Sequence, residues 1–212
     1  MLLGLYGYCI QIYCDFSGYS DMAIGIALLL GFKIPMNFNA PLTAYSMTDF
    51  WRRWHISLST WIRDYVYISL GGNKKGTLRM YFNQMVAMTA CGLWHGASLN
   101  FIVWGVLHGA LVCVHKFWSQ TVLKHDRRYH PSGLRRFISV FITFHVLCFT
   151  WLFFRCKDFD AVWVMVKQMF TKFNPSVLPD VFMGYKYVFL LMIFALLTHW
   201  IPDSWQNRCV RI

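Results

Sequence analysis

Charged residues are scarce in this sequence, and glutamate is absent, so all nine acidic residues are aspartates. Only 14% of the 212 residues are charged, whereas ordinary soluble domains contain about 25%. Hydrophobic residues make up 57% of the chain and aromatic residues 19%. A soluble protein of this size has too little interior to bury that much apolar surface. The composition excludes an ordinary soluble domain and predicts a membrane protein.

Several common functional motifs are also missing. The sequence has no Gly-x-Ser-x-Gly elbow, no Gly-x-Gly-x-x-Gly turn and no Walker loop, which argues against hydrolase and nucleotide-binding folds. It contains seven cysteines but no Cys-x-x-Cys pair, so it predicts small buried thiols, with neither disulfides nor a metal site. The first residues contain no basic stretch and no Ala-x-Ala cleavage site, so no signal peptide is expected. The cysteines are Cys9, Cys14, Cys91, Cys113, Cys148, Cys156 and Cys209.

Long apolar stretches approach the roughly 20 residues needed to cross a bilayer. Phe137–Phe154 has no charge over 18 residues, and Val188–Ile201 is similar. Met85–Val114 is too long for one ordinary helix and has GLWHGASLN in its middle. We therefore expect that stretch to enter the membrane and return as two short or re-entrant helices.

The net charge of +11 comes from basic residues that cluster in the connections. Connections rich in Lys and Arg lie on the cytoplasmic side of a membrane. Binding to nucleic acid is disfavoured, because bases would also need an exposed aromatic platform. The two clusters are Arg52, Arg53, Arg63, Lys74, Lys75 and Arg79, and Lys124, Arg127, Arg128, Arg135 and Arg136.

The segment Asp49–Tyr67 alternates aromatic and basic residues, a composition typical of the lipid headgroup level. A Ser-x-x-Asp capping signature, Ser46–Asp49, predicts that an interfacial helix begins at about Met47. Arg52 and Arg53 are suited to binding a phosphorylated or anionic ligand. Interface anchoring explains the two arginines by themselves and is the favoured interpretation.

Two histidines forty residues apart stand among apolar and aromatic residues: His55 in FWRRWHISLS and His95 in GLWHGAS. Imidazole titrates near neutral pH, and an ionisable group inside an apolar run is by default a functional-site hypothesis. His95, between Trp94 and Gly96, is a candidate general base toward a hydroxyl. A core histidine bonded to a neighbouring helix fits the same residues equally well.

Other polar residues also interrupt the apolar runs. If one helix carries both flanks of DFSGYSD, Asp15 and Asp21 lie within a span and need partners. His108, 13 residues after His95, is a further candidate to reach the same cavity as His95. His145 and His199 are expected to be satisfied core or interface residues.

Three segments resemble the membrane-bound O-acyltransferase superfamily, in particular its bacterial alginate O-acetyltransferase-like branch, with the D-alanyl transfer protein of teichoic acid modification as a cousin. They are YCDFSGYSDMAIGIALLLGF, NFNAPLTAYSMTDFWRRWHISLSTWIRDYVYISLGG and GLWHGASLNFIVWGVLHG. The similarity covers roughly residues 8–116, and residues 117–212 match in hydropathy only. Because family members are longer, we expect residues 1–212 to be the C-terminal portion of a single family domain.

The resemblance implies an all-α, multi-pass transmembrane bundle with short interfacial and re-entrant helices around a catalytic tunnel. His95 corresponds to the family's histidine in a Trp-His-Gly context, and His55 to its second polar position. Both would be catalytic. No bound cofactor or metal is implied, because acetyl-CoA or another acyl thioester serves as the donor substrate. The further candidates for binding substrate or donor are Arg52, Arg53, Trp94 and Asp15.

The expected function is transfer of an acyl group, acetyl in the first instance, from a cytoplasmic thioester to a hydroxyl for modification of an exported polysaccharide. The expected location is the bacterial inner membrane, in contact with lipids and with an extracytoplasmic partner that accepts or transfers the acyl group. The alternatives are a proton-linked transporter, for which Asp15, Asp21 and His95 would also be suited, and a structural subunit of an export complex.

Overall fold

The computed structural model describes residues 1–126, 129–172 and 174–201, and all regular structure in these ranges is helical. This confirms the predicted all-α fold class. The helices are α1 (Leu2–Leu29), α2 (Met47–Phe50), α3 (Ile56–Trp61), α4 (Thr77–His95), α5 (Leu99–Phe117), α6 (Gly133–Arg155), α7 (Phe159–Thr171), α8 (Leu178–Gly184) and α9 (Lys186–Thr198). Shorter 3-10 or π-helical segments are Pro41–Thr43, Ile62–Tyr67, Trp118–Val122 and Pro175–Val177.

Two helices in the described ranges are long and apolar enough to cross a membrane: Leu99–Val122 and Gly133–Arg155. The second contains the predicted span Phe137–Phe154. A third candidate is the pair Pro175–Gly184 and Lys186–Thr198, which is bent by 86° at the break between its two parts. The apolar stretch Val188–Ile201 therefore lies mostly in the short helix α9, which reaches the length of a membrane span only when it is counted together with Pro175–Gly184.

The predicted break inside the long central apolar stretch is confirmed. Helix α4 ends at His95, the chain turns through Gly96–Ser98, and α5 begins at Leu99. Gly96 has a φ of +152°, and a Cβ at that position would lie 2.9 Å from the Phe101 ring. The two helices form a closely packed hairpin, and His95 lies at its tip.

Helix α1 runs without interruption through DFSGYSD. Asp15 and Asp21 are both exposed on it, and neither makes a hydrogen bond or ion pair with the part of the chain that the structure describes. The expectation that these carboxylates would be satisfied inside the bundle is therefore not met by the described residues.

The prediction of one interfacial helix from about Met47 to Tyr67 was wrong about its continuity. The cap itself is confirmed, because the Ser46 hydroxyl accepts a hydrogen bond from the Asp49 amide at 3.1 Å. Helix α2 nevertheless ends at Phe50, and the chain turns before α3. In this turn the backbone forms hydrogen bonds with the extended segment around Asn37 and Asn39 instead of with the next helical turn. The Asn39 amide donates to the Arg53 carbonyl, and the Ile56 amide donates to the Asn37 carbonyl. This turn positions His55.

Buried side chains from every helix from α1 to α7 contribute to the core. Of the cysteines, Cys9, Cys91 and Cys148 are buried as predicted, whereas Cys14 is exposed. Cys113 and Cys156 are partly buried, and Cys209 lies outside the described residues, as do Arg127 and Arg128 of the second basic cluster.

Candidate active site

His95 lies in an aromatic enclosure at the tip of the α4–α5 hairpin. Its ring centroid is 4.9 Å from Trp94, 5.3 Å from Trp104 and 5.0 Å from Phe154. The ring is half-buried and makes no hydrogen bond to the described residues. A core histidine bonded to a neighbouring helix, the alternative left open by the sequence, is not what these residues form.

His55 occupies the turn between α2 and α3, outside the candidate spans. Its φ of 44° lies in the left-handed region, which is uncommon for residues other than glycine. The side chain is buried, with its ring centroid 4.7 Å from Phe16 and 5.7 Å from Trp94. Strained backbone of this kind tends to occur at functional sites, where the surrounding structure holds it in place.

The Trp94 indole joins the two histidines, because it contacts both rings. Burial lowers the pKa of His55 from its ordinary 6.5 to about 4, and the nearby His95 is a second cause of the shift. Both causes disfavour the charged imidazolium. At neutral pH His55 is therefore a neutral imidazole beside a second imidazole.

His108 has a different role from the one expected of it. It is fully buried, and both of its ring nitrogens are hydrogen-bonded. Nδ1 accepts from the Trp51 indole N–H at 3.2 Å, and Nε2 pairs with the Thr150 hydroxyl at 2.9 Å. His108 therefore has no nitrogen left for a substrate. Nothing in the sequence indicated this pairing, because its three members come from α5, α6 and the turn after α2.

Of the two histidines predicted to be satisfied, His145 is bonded through both ring nitrogens, whereas the buried Nε2 of His199 has no hydrogen-bond partner among the described residues. His145 pairs with the Tyr6 hydroxyl at 2.9 Å and with the Phe141 carbonyl at 2.8 Å. His199 bonds the Ala195 carbonyl at 2.8 Å through Nδ1.

A cavity of about 820 Å³ opens between α4, α5, α6 and the segment that begins at α2. Its lining reaches Cys91, one helical turn before His95 on α4, which corresponds to a rise of about 6 Å. Neither His55 nor His95 belongs to this lining. The cationic residues of the described lining are Arg52, Arg63, Lys116 and Arg135, and the anionic ones are Asp49 and Asp126.

The structure separates the two arginines that the sequence placed together. The Arg53 side chain donates to the Asp49 carboxylate at 2.9 Å and to the Asn39 carbonyl at 3.3 Å, so it holds the turn before His55. Arg52 is exposed and lines the cavity, without an ion pair to the described part of the chain.

The two remaining candidates, Trp94 and Asp15, differ in how directly they contact the two histidines. Trp94 is part of the aromatic enclosure, although its side chain is largely exposed on the outer side. Asp15 is exposed on α1, next to Phe16, which packs on His55. No cluster of three metal-ligating side chains occurs within the described ranges.

These features define a helical membrane protein in which two histidines meet around an indole, close to a cavity with cationic side chains. The chain belongs to the membrane-bound O-acyltransferase (MBOAT) family, whose model matches residues 1–159. The match extends beyond the motif core at residues 8–116 and includes all of α6.

Three relatives illustrate the similarity. The chain is 46% identical over 169 residues to a probable alginate O-acetylase AlgI of Azotobacter vinelandii, covering 80% of this chain and 32% of the relative. It is 43% identical over 162 residues to a peptidoglycan O-acetyltransferase of Helicobacter pylori, covering 76% and 30%. It is 34% identical over 169 residues to a teichoic acid D-alanyltransferase of Bacillus subtilis, covering 74% and 42%. The chain spans less than half the length of each of these relatives.

Proposed function

We propose that the protein is an O-acyltransferase that moves an acyl group, acetyl in the first instance, from a cytoplasmic thioester to a hydroxyl acceptor. The observation that supports this most directly is the meeting of His55 and His95 around Trp94. Family membership and relatives named for alginate and peptidoglycan acetylation support an exported polysaccharide as the final target.

In this proposal His95 is the general base. Its imidazole accepts the proton of the acceptor hydroxyl while the oxygen attacks the thioester carbonyl. The new C–O bond forms, the C–S bond breaks, and the proton passes from His95 to the departing thiolate. One ester and one free thiol result.

His55 has the complementary role of orienting and polarising the thioester carbonyl. A neutral imidazole presents one N–H donor, and the low pKa of His55, about 4, keeps the ring neutral at pH 7. A hydrogen bond from this ring to the carbonyl oxygen would stabilise the negative charge that develops there during attack. The strained turn, tied to Asn37 and Asn39, would hold the ring in position for that bond.

The cavity is the proposed site for the donor. Its volume of about 820 Å³ falls within the range of small-molecule sites, about 300–1,000 Å³. Arg52 and Arg135 are suited to binding the phosphate groups of a donor such as acetyl-CoA. Arg63, the third arginine of the lining, is paired with the Asp64 carboxylate at 2.7 Å. The apolar lining on α4, which includes Ala87, Met88 and Cys91, would accommodate the thioester arm as it approaches His95.

The proposed setting is the bacterial inner membrane, with several membrane passes and the basic connections on the cytoplasmic side. The thioester donor is available on that side. An extracytoplasmic partner protein would receive the acyl group or hand it to the polysaccharide.

The test is thiol release from acetyl-CoA by membranes that contain the protein together with an acceptor-bearing extract. An acyltransferase releases free thiol in proportion to the ester formed, whereas a transporter or a structural subunit releases none above that of membranes lacking the protein. Ester formation without thiol release, or neither product, would contradict the proposal.

A further inference from the structure

We propose that the Trp51 indole is the barrier between the cationic cavity and the histidine pair, and that it selects small acyl groups. This inference rests on the proposed acyl transfer. It assigns to Trp51 a role in donor specificity, and to His108 and Thr150 the role of holding Trp51 in place.

A chain of ring contacts leads from the cavity to the proposed base. Trp51 lines the cavity. Its ring centroid lies 5.9 Å from Trp104, and Trp104 lies 5.3 Å from His95. Trp104 is only 1% exposed and does not line the cavity, so the two indoles form a continuous line of contacts from the cavity to His95.

The orientation of Trp51 is determined by a directed series of hydrogen bonds. The indole N–H can only donate, so His108 Nδ1 is an acceptor and its Nε2 must bear the proton. Nε2 then donates to the Thr150 oxygen, whose own hydroxyl donates to the Leu147 carbonyl at 2.8 Å. Every donor in the series has an acceptor, which ties the indole to α5 and α6 simultaneously.

The acyl end of a thioester that enters from the cavity leads the rest of the molecule toward His95. On the proposed route it passes Trp51, which lines the cavity and contacts Trp104, before it reaches His95. An acetyl group is small enough to need little displacement of the indole. Longer or branched acyl groups would have to break the bond to His108 or be excluded, so the indole acts as a size limit.

The experiment compares acetyl-CoA, butyryl-CoA and isobutyryl-CoA as donors in the thiol-release assay, with the protein in membranes. In an apolar pocket one methylene group changes selectivity by about 10–200-fold. Trp51→Ala should therefore raise the ratio of butyryl to acetyl turnover at least about tenfold, and isobutyryl should follow the same trend. Trp163→Ala, which removes an exposed indole from α7, is the matched control and should leave the ratio unchanged.

The holding role is tested separately, with substitutions that keep the indole. Thr150→Val removes the acceptor of the His108 N–H and should shift the ratio in the same direction as Trp51→Ala, though less far. Thr150→Ser keeps the hydroxyl and should retain the wild-type ratio.

Two results would overturn the inference in distinguishable ways. If Trp51→Ala lowers turnover of all three donors in equal proportion, the indole has only a structural role and the size limit lies elsewhere. If the wild-type protein releases no thiol from any donor, the proposed acyl transfer itself fails, and the inference fails with it.

Discussion

Gly92 of α4 and Gly105 of α5 place the backbones of their two helices in direct contact. A Cβ at Gly92 would lie 2.3 Å from the Phe101 carbonyl oxygen and 3.1 Å from the Gly105 Cα. A Cβ at Gly105 would lie 2.5 Å from the Met88 carbonyl oxygen. Small residues permit this close approach between membrane helices, and here it determines where the hairpin presents His95.

Gly92→Ala and Gly105→Ala should therefore each destabilise the protein. Backbone atoms cannot move aside as a flexible side chain can, and overpacking typically costs about 1–3 kcal/mol. Thermal unfolding in detergent should show a lower midpoint for both variants. Gly25→Ala is the control, because a Cβ there meets nothing within 4 Å; an equal loss in that variant would contradict the backbone-contact explanation.

His95→Ala should reduce acyl transfer by about 10²–10⁴, the usual contribution of a general base. Expression and membrane insertion should remain near normal, because the ring makes no hydrogen bond to the described part of the chain. His130→Ala, which removes an exposed imidazole bonded to Tyr45, serves as the matched control. Turnover of His95→Ala within about threefold of wild type would rule out the assigned role.

At position 55 the usual order of stability between alanine and glycine should be reversed. Both substitutions remove the ring, but only glycine adopts a φ of 44° without strain. His55→Gly should therefore be more stable than His55→Ala by about 1–2 kcal/mol, as measured by unfolding midpoints. Thr60, inside α3, should show the opposite order; the same order at both positions would show that the backbone of His55 is unstrained.

The lowered pKa of His55 predicts how stability depends on pH. Its pKa is about 4 in the folded protein and 6.5 ordinarily, so between these values the unfolded chain binds more protons. The free energy of unfolding should therefore fall as the pH drops from 6.5 toward 4. His55→Asn should reduce this part of the slope. If the unfolding midpoint of the His55→Asn variant depends on pH as steeply as that of the wild type, the lowered pKa of His55 is contradicted.

The position of the first basic cluster can be checked at Lys75, which is exposed in the connection before α4. A cysteine at this position should resist a membrane-impermeant thiol reagent in intact cells and react after permeabilisation, measured above the labelling of the wild-type cysteines. Labelling in intact cells would show that the topology is the reverse of the one predicted. The cavity would then open on the side of the membrane where thioesters are not available.

The sequence by itself determined the helical class, the apolar span at Phe137–Phe154 and the break after His95. These features depend on local properties. A run of 18 residues without charge is long enough to be a membrane-span candidate, and the small and polar residues after His95 favour a turn between two apolar runs. The choice of His55 and His95 came from residue chemistry, together with the family motifs.

Only the tertiary structure decided which polar groups meet. It broke the segment after Ser46 into short helices, because the extended chain at Asn37 and Asn39 supplies hydrogen bonds that no local pattern indicates. It also directed Arg53 to Asp49 and Arg52 to the cavity, and it bonded Trp51 to His108 across 57 positions. Helix periodicity depends on residues that are near one another in the sequence. Hydrogen bonds between distant segments form only when the helices have packed.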